Sequence, residues 1–445
     1  MMKVSIIGTG YVGLVTGVCF AEKGHQVVCV DVDKGKVNKI NKGIAPIFEK
    51  GLEELLQKNI QKNLQVTTDL YNSVLSTDIT LIAVGTPYNG IEIDLTYVKE
   101  VSRQIGNALK DKANYHVVVV KSTIVPGTTD EVVLSILEEA SKKKAGVDFG
   151  VGMNPEFLTE GDAVNDFMHP DRIVLGGLDN RTIHAMEELY HCFEGVDLIR
   201  TNNKTAEMIK YASNALLATM ISFSNELGNL CSAMGNIDIV DVMKGVHMSN
   251  YLSPIQPDGD RVVAPITAFL IAGCGFGGSC LPKDIKALIS HGKKAGKQMP
   301  LLEAVIRINE HQYEQVLSLL NRHFPSLKGI HVTILGLAFK PGTDDMRESP
   351  AIPIIRKLLD QGALIKAYDP ISKHEAKKIF GDSIEISNDL FESLQNSQAV
   401  ILVTRWEEFY KIPELLVNIQ PQPLFIDGRR MLDKHSIENY QGIGM

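Results

Sequence analysis

The order of apolar runs in this chain predicts an α/β protein: two open-sheet units joined by a long central helix and a helical middle domain. Three observations carry that reading. Residues 3–31 run strand, glycine-rich turn, helix, strand, acid. Residues 205–234 hold no proline, few charges and apolar side chains on nearly every side of a helix. From residue 328 a second series of strands and helices begins. The domain boundaries this predicts are 1–200, 201–325 and 326–445.

At 445 residues the chain is long enough for two or three well-filled cores. Its net charge of −8 gives no electrostatic reason to expect nucleic acid or an anionic membrane as partner. An anionic ligand must then be held by local cations against the global field. The six cysteines (Cys19, Cys29, Cys192, Cys231, Cys274, Cys280) show neither a CxxC pair nor zinc spacing. That usage points to a reducing cytoplasm and to no metal site. Lys3 and the apolar run 4–21 imitate a signal peptide, but glycines at 8, 10, 13 and 17 break the run into strand, turn and helix.

In chain order, a buried strand over 3–8 leads directly into Gly8-Thr9-Gly10-Tyr11-Val12-Gly13. A helix continues through Ala21 and Glu22, and a strand over 26–30 ends at Asp31. This is the dinucleotide fingerprint of a Rossmann-like domain. Gly8 makes the tight turn, Gly10 admits a pyrophosphate and Gly13 lets helix and strand pack. Asp31 would accept hydrogen bonds from a ribose and repel a 2′-phosphate, which favours NAD over NADP, with Lys36 near the same edge. Strands over 78–84, 116–121 and 148–153 follow, running into Gly85-Thr86-Pro87, Ser122-Thr123 and Asn154-Pro155-Glu156. A parallel sheet places all these loops along its ligand-binding edge. Glu156 and Glu160 are four apart, so one helical turn would set both on one face. A strand over 172–177 and a helix over 183–192 complete this domain.

The helix 205–234 is so apolar that it must be covered all round, by both flanking domains or by a second subunit. Lys210 and Asn214 share one of its faces, and a lysine there must be paired or used. After a proline- and glycine-containing loop over 251–263 and a short helix over 265–271 comes Gly275-Phe276-Gly277-Gly278-Ser279-Cys280-Leu281-Pro282-Lys283-Asp284. Pro282 suits the first turn of a helix. Cys280 then stands at a helix start, where N–H groups and the dipole favour a thiolate; Lys283 adds positive charge and Asp284 a carboxylate. That is the outline of a covalent catalytic site.

A helix over 301–323 precedes the second Rossmann-like domain. Strands over 331–336, 363–368, 399–403 and 424–426 and a helix over 350–361 build it, without the second and third glycines of the fingerprint. It therefore suits a different nucleotide-like ligand. Lys340, Arg347 and Arg429 leave strand ends or the loops after them, which predicts an anion site in one crevice.

With GTGYVG at 8–13, VGTP at 84–87, KST at 121–123, NPEFLTEG at 154–161, Lys210 with Asn214, GFGGSCLPKD at 275–284, GLAFKPGTDD at 336–345 and IDGRR at 426–430, the chain resembles the nucleotide-sugar 6-dehydrogenases over nearly its whole length. The resemblance implies an NAD site at Gly8, Gly10, Tyr11, Val12, Gly13, Asp31, Lys36, Thr86, Thr123, Glu160 and Arg347. It implies a nucleophile at Cys280, with Lys210, Asn214, Asp284, Glu160 and Thr123 around the reacting carbon. It sets the sugar nucleotide against Glu156, Phe157, Leu158, Lys210, Asn214, Phe276, Gly277, Phe339, Lys340 and Arg429. It further implies an Arg before the GFGG loop reaching the neighbouring subunit's substrate; Asp260-Arg261 stands there in divergent surroundings. The all-round apolar helix 205–234 between the two α/β units itself predicts a homodimer built across it. GFGGSC, TDDMRES and IDGRR resemble the UDP-glucose branch, implying oxidation of UDP-glucose to UDP-glucuronate by four electrons. GDP-mannose or a UDP-N-acetylhexosamine is the alternative substrate. A non-catalytic nucleotide-sugar binder is the alternative class, and the joint presence of Cys280, Lys210, Asn214 and Asp284 argues against it.

Overall fold

The computed structural model describes every residue, Met1–Met445. The chain divides into two compact units, Met1–Ser213 and Asn214–Met445.

The first unit is built on strands β1 (Lys3–Ile7), β2 (Gln26–Val30), β3 (Leu64–Thr67), β4 (Ile79–Ile82), β5 (His116–Val120), β6 (Phe149–Met153), β7 (Arg172–Gly177) and β8 (Asp197–Thr201). They form one sheet in the order β3-β2-β1-β4-β5-β6-β7-β8. The central strands β4, β5 and β6 are buried throughout, covered on both faces, and alternation sorts the side chains between two cores. Ile6, Val117 and Val119 face one core; Ile7, Val118 and Val120 face the other. The expectation of an all-parallel sheet is corrected at one junction. β6 and β7 pair antiparallel, through Gly152↔Gly177 and Met153↔Gly176. The reason lies in the connecting loop, which stays at the carboxyl edge of the sheet: the Gly161 N–H donates to the Tyr11 hydroxyl at the start of the first helix (Tyr11–Glu22). The chain thus enters β7 from that edge and runs back. The strand Asp197–Thr201 leaves little trace in the sequence, because its residues are mostly exposed and weakly apolar.

The helix Asn203–Met234 begins in the first unit and ends in the second. In the second unit, β9 (His331–Leu335), β10 (Leu364–Tyr368), β11 (Glu385–Ile386), β12 (Ala399–Leu402), β13 (Leu424–Asp427) and β14 (Tyr440–Gly442) make a parallel sheet in the order β11-β10-β9-β12-β13-β14. Ile334, Ile401 and Ile426 fill one core, Leu335, Val400, Leu402 and Phe425 the other. Within this unit the helix Asn203–Met234 is not covered all round. Leu216, Phe223 and Leu230, seven residues apart, remain 50%, 47% and 54% exposed.

Candidate active site

In the first unit the glycine turn is shaped as its spacing requires. Gly8 has φ +103°, and a Cβ there would meet the Ala83 carbonyl oxygen at 2.7 Å. A Cβ on Gly13 would lie 1.9 Å from the Gly8 oxygen, so only glycine lets the helix press this close to β1. Gly10, by contrast, has nothing within 4 Å of where a Cβ would stand. It caps the helix without a side-chain acceptor, leaving the first-turn N–H groups of Tyr11 and Val12 to an anion. This open cradle fits a dinucleotide pyrophosphate. Asp31 ends β2 with one carboxylate oxygen accepting from the Thr9 N–H (2.9 Å) and hydroxyl (2.6 Å), the other from the Asp33 N–H (2.9 Å). Burial works against its charge, but the Thr9 hydroxyl, these N–H groups and the nearby Lys36 outweigh it and hold the carboxyl below its usual range. An ionised acid is thereby fixed beside the turn. Thr86 and Thr123 come together, the Thr86 hydroxyl donating to the Thr123 carbonyl (2.8 Å).

The stretch 154–159 is extended loop rather than a helical turn, so the expected shared face of Glu156 and Glu160 is corrected. Pro155 disfavours helix at Asn154, and a Glu156 carboxylate oxygen accepts from the Leu158 N–H at 2.7 Å, which locks the turn in another shape. Glu156 is buried and pairs with Lys210 at 3.0 Å; both are almost fully shielded. Burial opposes the Glu156 charge, yet Lys210, the Leu158 N–H and Lys121 prevail and keep its carboxyl low. Phe157 lies under Arg172 (4.1 Å) and within 5.6 Å of the Lys210 ammonium. Beyond Glu160 the loop is tied down at Gly161, whose N–H is shared by the Tyr11 hydroxyl and Glu49. Glu49 also accepts from the Ala163 N–H, capping the helix Ala163–Met168.

In the second unit Cys280 is the N-cap of the helix Leu281–Lys294, with Pro282 in its first turn. The Cys280 carbonyl accepts from the Asp284 N–H (2.9 Å), and the Ser279 hydroxyl lies 3.6 Å from its sulfur. Asp284 is buried between two donors: Asn214 Nδ2 at 2.7 Å and Lys283 Nζ at 2.6 Å. The thiol, the carboxylate and the amide are thus assembled around one helix start. The loop ahead of Cys280 is wedged against two others. A Cβ on Gly277 would strike the Glu348 carbonyl at 2.2 Å, and one on Gly278 the Phe339 ring at 2.7 Å. The Gly278 N–H donates to the Arg347 carbonyl, and Arg429 donates to the carbonyls of Gly275 and Val403. Phe276, Gly277, Phe339 and Arg429 therefore meet, with Lys340 following Phe339 in the loop after β9. The Arg347 guanidinium grips the Asp345 carboxylate and is 63% exposed. Arg261 bonds the carbonyls of its own loop, Met248 and Ser253.

Several residues of this framework carry little signal in the sequence. Asn309 holds Phe276 by both its N–H (2.8 Å) and its carbonyl (2.9 Å). It sits inside a helix (Pro300–Asn321), where an Asn carries no local signal. Arg405 bonds the Arg429 carbonyl, and Lys121 lies buried at the end of β5. Lys121 opens the KST motif, and its sign in the sequence is a lysine closing a run of four valines.

Three family profiles of the UDP-glucose/GDP-mannose dehydrogenases match this chain: the NAD binding domain over 2–194, the central domain over 204–311 and the UDP binding domain over 333–434. The chain belongs to this family. The UDP-glucose 6-dehydrogenase TuaD of Bacillus subtilis is 42% identical over 100% of this chain and 92% of that protein. The UDP-glucose 6-dehydrogenase AglM of Haloferax volcanii is 40% identical over 99% and 100%. At 37% identity over 97% and 96%, a GDP-mannose 6-dehydrogenase of Pseudomonas aeruginosa is also similar. Among solved structures, a UDP-glucose dehydrogenase from Pyrobaculum islandicum superposes with a TM-score of 0.90 at 36% identity, covering 100% and 98% of the two chains. Family membership makes the protein an NAD-dependent oxidoreductase of nucleotide-sugar metabolism, and the Gly8–Gly13 turn belongs to its NAD binding domain. No helix is long and apolar enough to cross a membrane.

Proposed function

We propose that this protein oxidises UDP-glucose to UDP-glucuronate, with Cys280 as covalent nucleophile. The observation that carries the reading is the placement of Cys280 as the N-cap of a helix whose first turn holds a buried, doubly hydrogen-bonded Asp284. Relatives named as UDP-glucose 6-dehydrogenases, 42% and 40% identical over essentially the full chain, support the choice of sugar.

The residue set follows from the chemistry. NAD, when bound, supplies the hydride acceptor for each of two oxidations. The first turns the C6 alcohol into an aldehyde, its proton leaving to a base. The aldehyde lacks a second hydride on a tetrahedral carbon, so the Cys280 sulfur adds to it and gives a thiohemiacetal. The second oxidation leaves a thioester. Water then attacks the thioester carbonyl, the C–S bond breaks, and carboxylate and thiol are released. Lys210 stabilises the oxyanion at each tetrahedral stage, and Asp284, Glu160 and Thr123 order or activate water. Glu156, Phe157 and Leu158 with Phe276, Gly277, Phe339, Lys340, Asn214 and Arg429 hold the sugar nucleotide, and Asp31, Lys36, Thr86 and Arg347 the dinucleotide. The working form is a cytoplasmic homodimer.

NADH production with a panel of UDP-glucose, GDP-mannose and UDP-N-acetylhexosamines tests the substrate. UDP-glucose should be turned over best, with two NADH per sugar. Faster turnover of GDP-mannose would move the substrate to that branch and leave the covalent chemistry standing.

A further inference from the structure

The first unit holds a second buried ammonium that the mechanism above does not use. Lys121, the last side chain before Ser122-Thr123, is 3% exposed. Its Nζ donates to Asn154 Oδ1 at 2.8 Å and to the Tyr190 hydroxyl at 3.4 Å. Tyr190 in turn donates to the same Asn154 oxygen, and Asn154 Nδ2 donates to the Val174 carbonyl at 2.9 Å. All of these atoms are buried, so the cation sits in a site built for it. Asn154 opens the loop that two residues later carries Glu156, the partner of Lys210. Both ammonium groups act on the Glu156 carboxylate and repel one another. One buried anion is thus set against two buried cations.

We propose that Lys121 is a positioning residue for the oxidation: its ammonium fixes the loop bearing Glu156, Phe157 and Leu158, and as the second cation of a Lys121–Glu156–Lys210 cluster it sets the electrostatic surroundings of Lys210. This rests on the reading of Lys210 as an oxyanion-stabilising group. Asn154 and Glu156 come from the loop after β6, Tyr190 from the helix Asn180–Tyr190, Lys210 from the long helix, and Arg172 from β7 by way of Phe157.

Like charges in a low-dielectric site weaken each other's hold on a proton. Burial lowers the Lys121 pKa to about 8; Glu156 works against that, and Lys210 adds a smaller lowering. Loss of the Lys121 proton ends this charged arrangement, and each ammonium feels the charge of the other across Glu156. Removing one cation leaves the survivor beside an uncontested carboxylate, where it keeps its proton to higher pH.

The test compares Lys121→Met, Lys210→Met and Tyr190→Phe in the holoenzyme with NAD and UDP-glucose, following kcat and KM from neutral to alkaline pH. Lys121→Met should lower kcat about tenfold or more, leave the KM for NAD within about twofold, and move the alkaline limb of kcat upward by about one pH unit. Tyr190→Phe, which keeps the ammonium, should leave that limb in place. If Lys121→Met does not fold, Asn154→Asp, which neutralises the ammonium from its other side, should give the same upward shift. An unshifted limb in whichever of Lys121→Met and Asn154→Asp folds overturns the proposal. A Lys210→Met enzyme with normal kcat would instead defeat the underlying reading of Lys210, so the two failures are told apart.

Discussion

At the scale of single residues, two cysteines close in sequence have opposite environments. Cys274 is buried, and that burial raises its thiol pKa above the ordinary value in spite of Arg429 nearby. Cys280 is half-buried and caps a helix start beside Lys283 and Asp284. Cys280→Ala should therefore lower uronic acid formation on the order of 10⁴-fold, with at most one NADH per sugar. Cys280→Ser can add to the aldehyde but leaves an ester that hydrolyses far more slowly, so intact mass should show a covalently held sugar nucleotide for Ser and none for Ala. Cys274→Ala should stay active. Near-normal uronic acid production by Cys280→Ala would sink the covalent route. Much of this was legible in the sequence, because a cysteine followed by a helix-starting Pro carries its field with it. Asn309 and Glu49 were not legible. They act on backbone groups more than thirty and more than a hundred residues away, Phe276 and Gly161 respectively, and only the folded chain brings them there.

At the scale of elements, boundaries fell where turn chemistry is local and failed where tertiary contact decides. The strand–turn–helix–strand over 3–31 was readable because each glycine's duty is met within its own loop or by an adjacent strand. The loop 154–161 departs from a helical turn through Pro155 and the Glu156–Leu158 bond at its start, and through Tyr11 and Glu49, distant in sequence, at Gly161. The helix Ile239–His247 shows the same dependence in the second unit. Asp238 caps it through the Val240 N–H, and also pairs at 2.9 Å with Arg430, itself 4% exposed, and with Lys434. Burial opposes the Asp238 charge, but Arg430, Lys434 and the Val240 N–H lower its pKa from 3.8 to about 2. A depressed folded pKa means stability that is full above 3.8 and is lost as pH falls through about 2. Asp238→Ala removes the cap and strands a buried guanidinium, which should cost about 3 kcal/mol at neutral pH. The only tryptophan, Trp406, belongs to the same unit, so its fluorescence in urea reads this unit alone. The gap between wild type and variant should be widest at pH 7 and close toward pH 2. A gap of the same size at both pH values would assign the loss to packing rather than to the ion pairs.

For the whole molecule, the long helix poses the question that its sequence raised. An all-round apolar helix must be covered, yet Leu216, Phe223 and Leu230 are about half exposed within the second unit. Their spacing of seven keeps them on one stripe, the arrangement by which two helices bury a shared seam. Val240, Val242 and Val246 of the helix Ile239–His247 add further exposed apolar surface to the same unit. Isolated exposed leucines need no explanation, whereas a repeated stripe on one helix calls for an occupant. A second copy meeting this stripe about a two-fold axis is self-complementary and closes without leaving a surface to propagate. The buried positions of the same helix, Ala218, Ser222, Asn225 and Gly228, are small or polar and pack inside the unit, so the large apolar side chains left outside are not core that failed to fold. Sedimentation equilibrium at micromolar concentration should give twice the 48.9 kDa chain mass. Phe223→Glu should shift the protein to monomer, because each partner would carry a charge into an apolar seam with no cation to meet it. The same variant should keep the far-ultraviolet spectrum of the wild type, since Phe223 is not part of the unit's own core. A wild-type protein that sediments as a stable monomer would remove the two-fold assembly, and the stripe would then need a different partner.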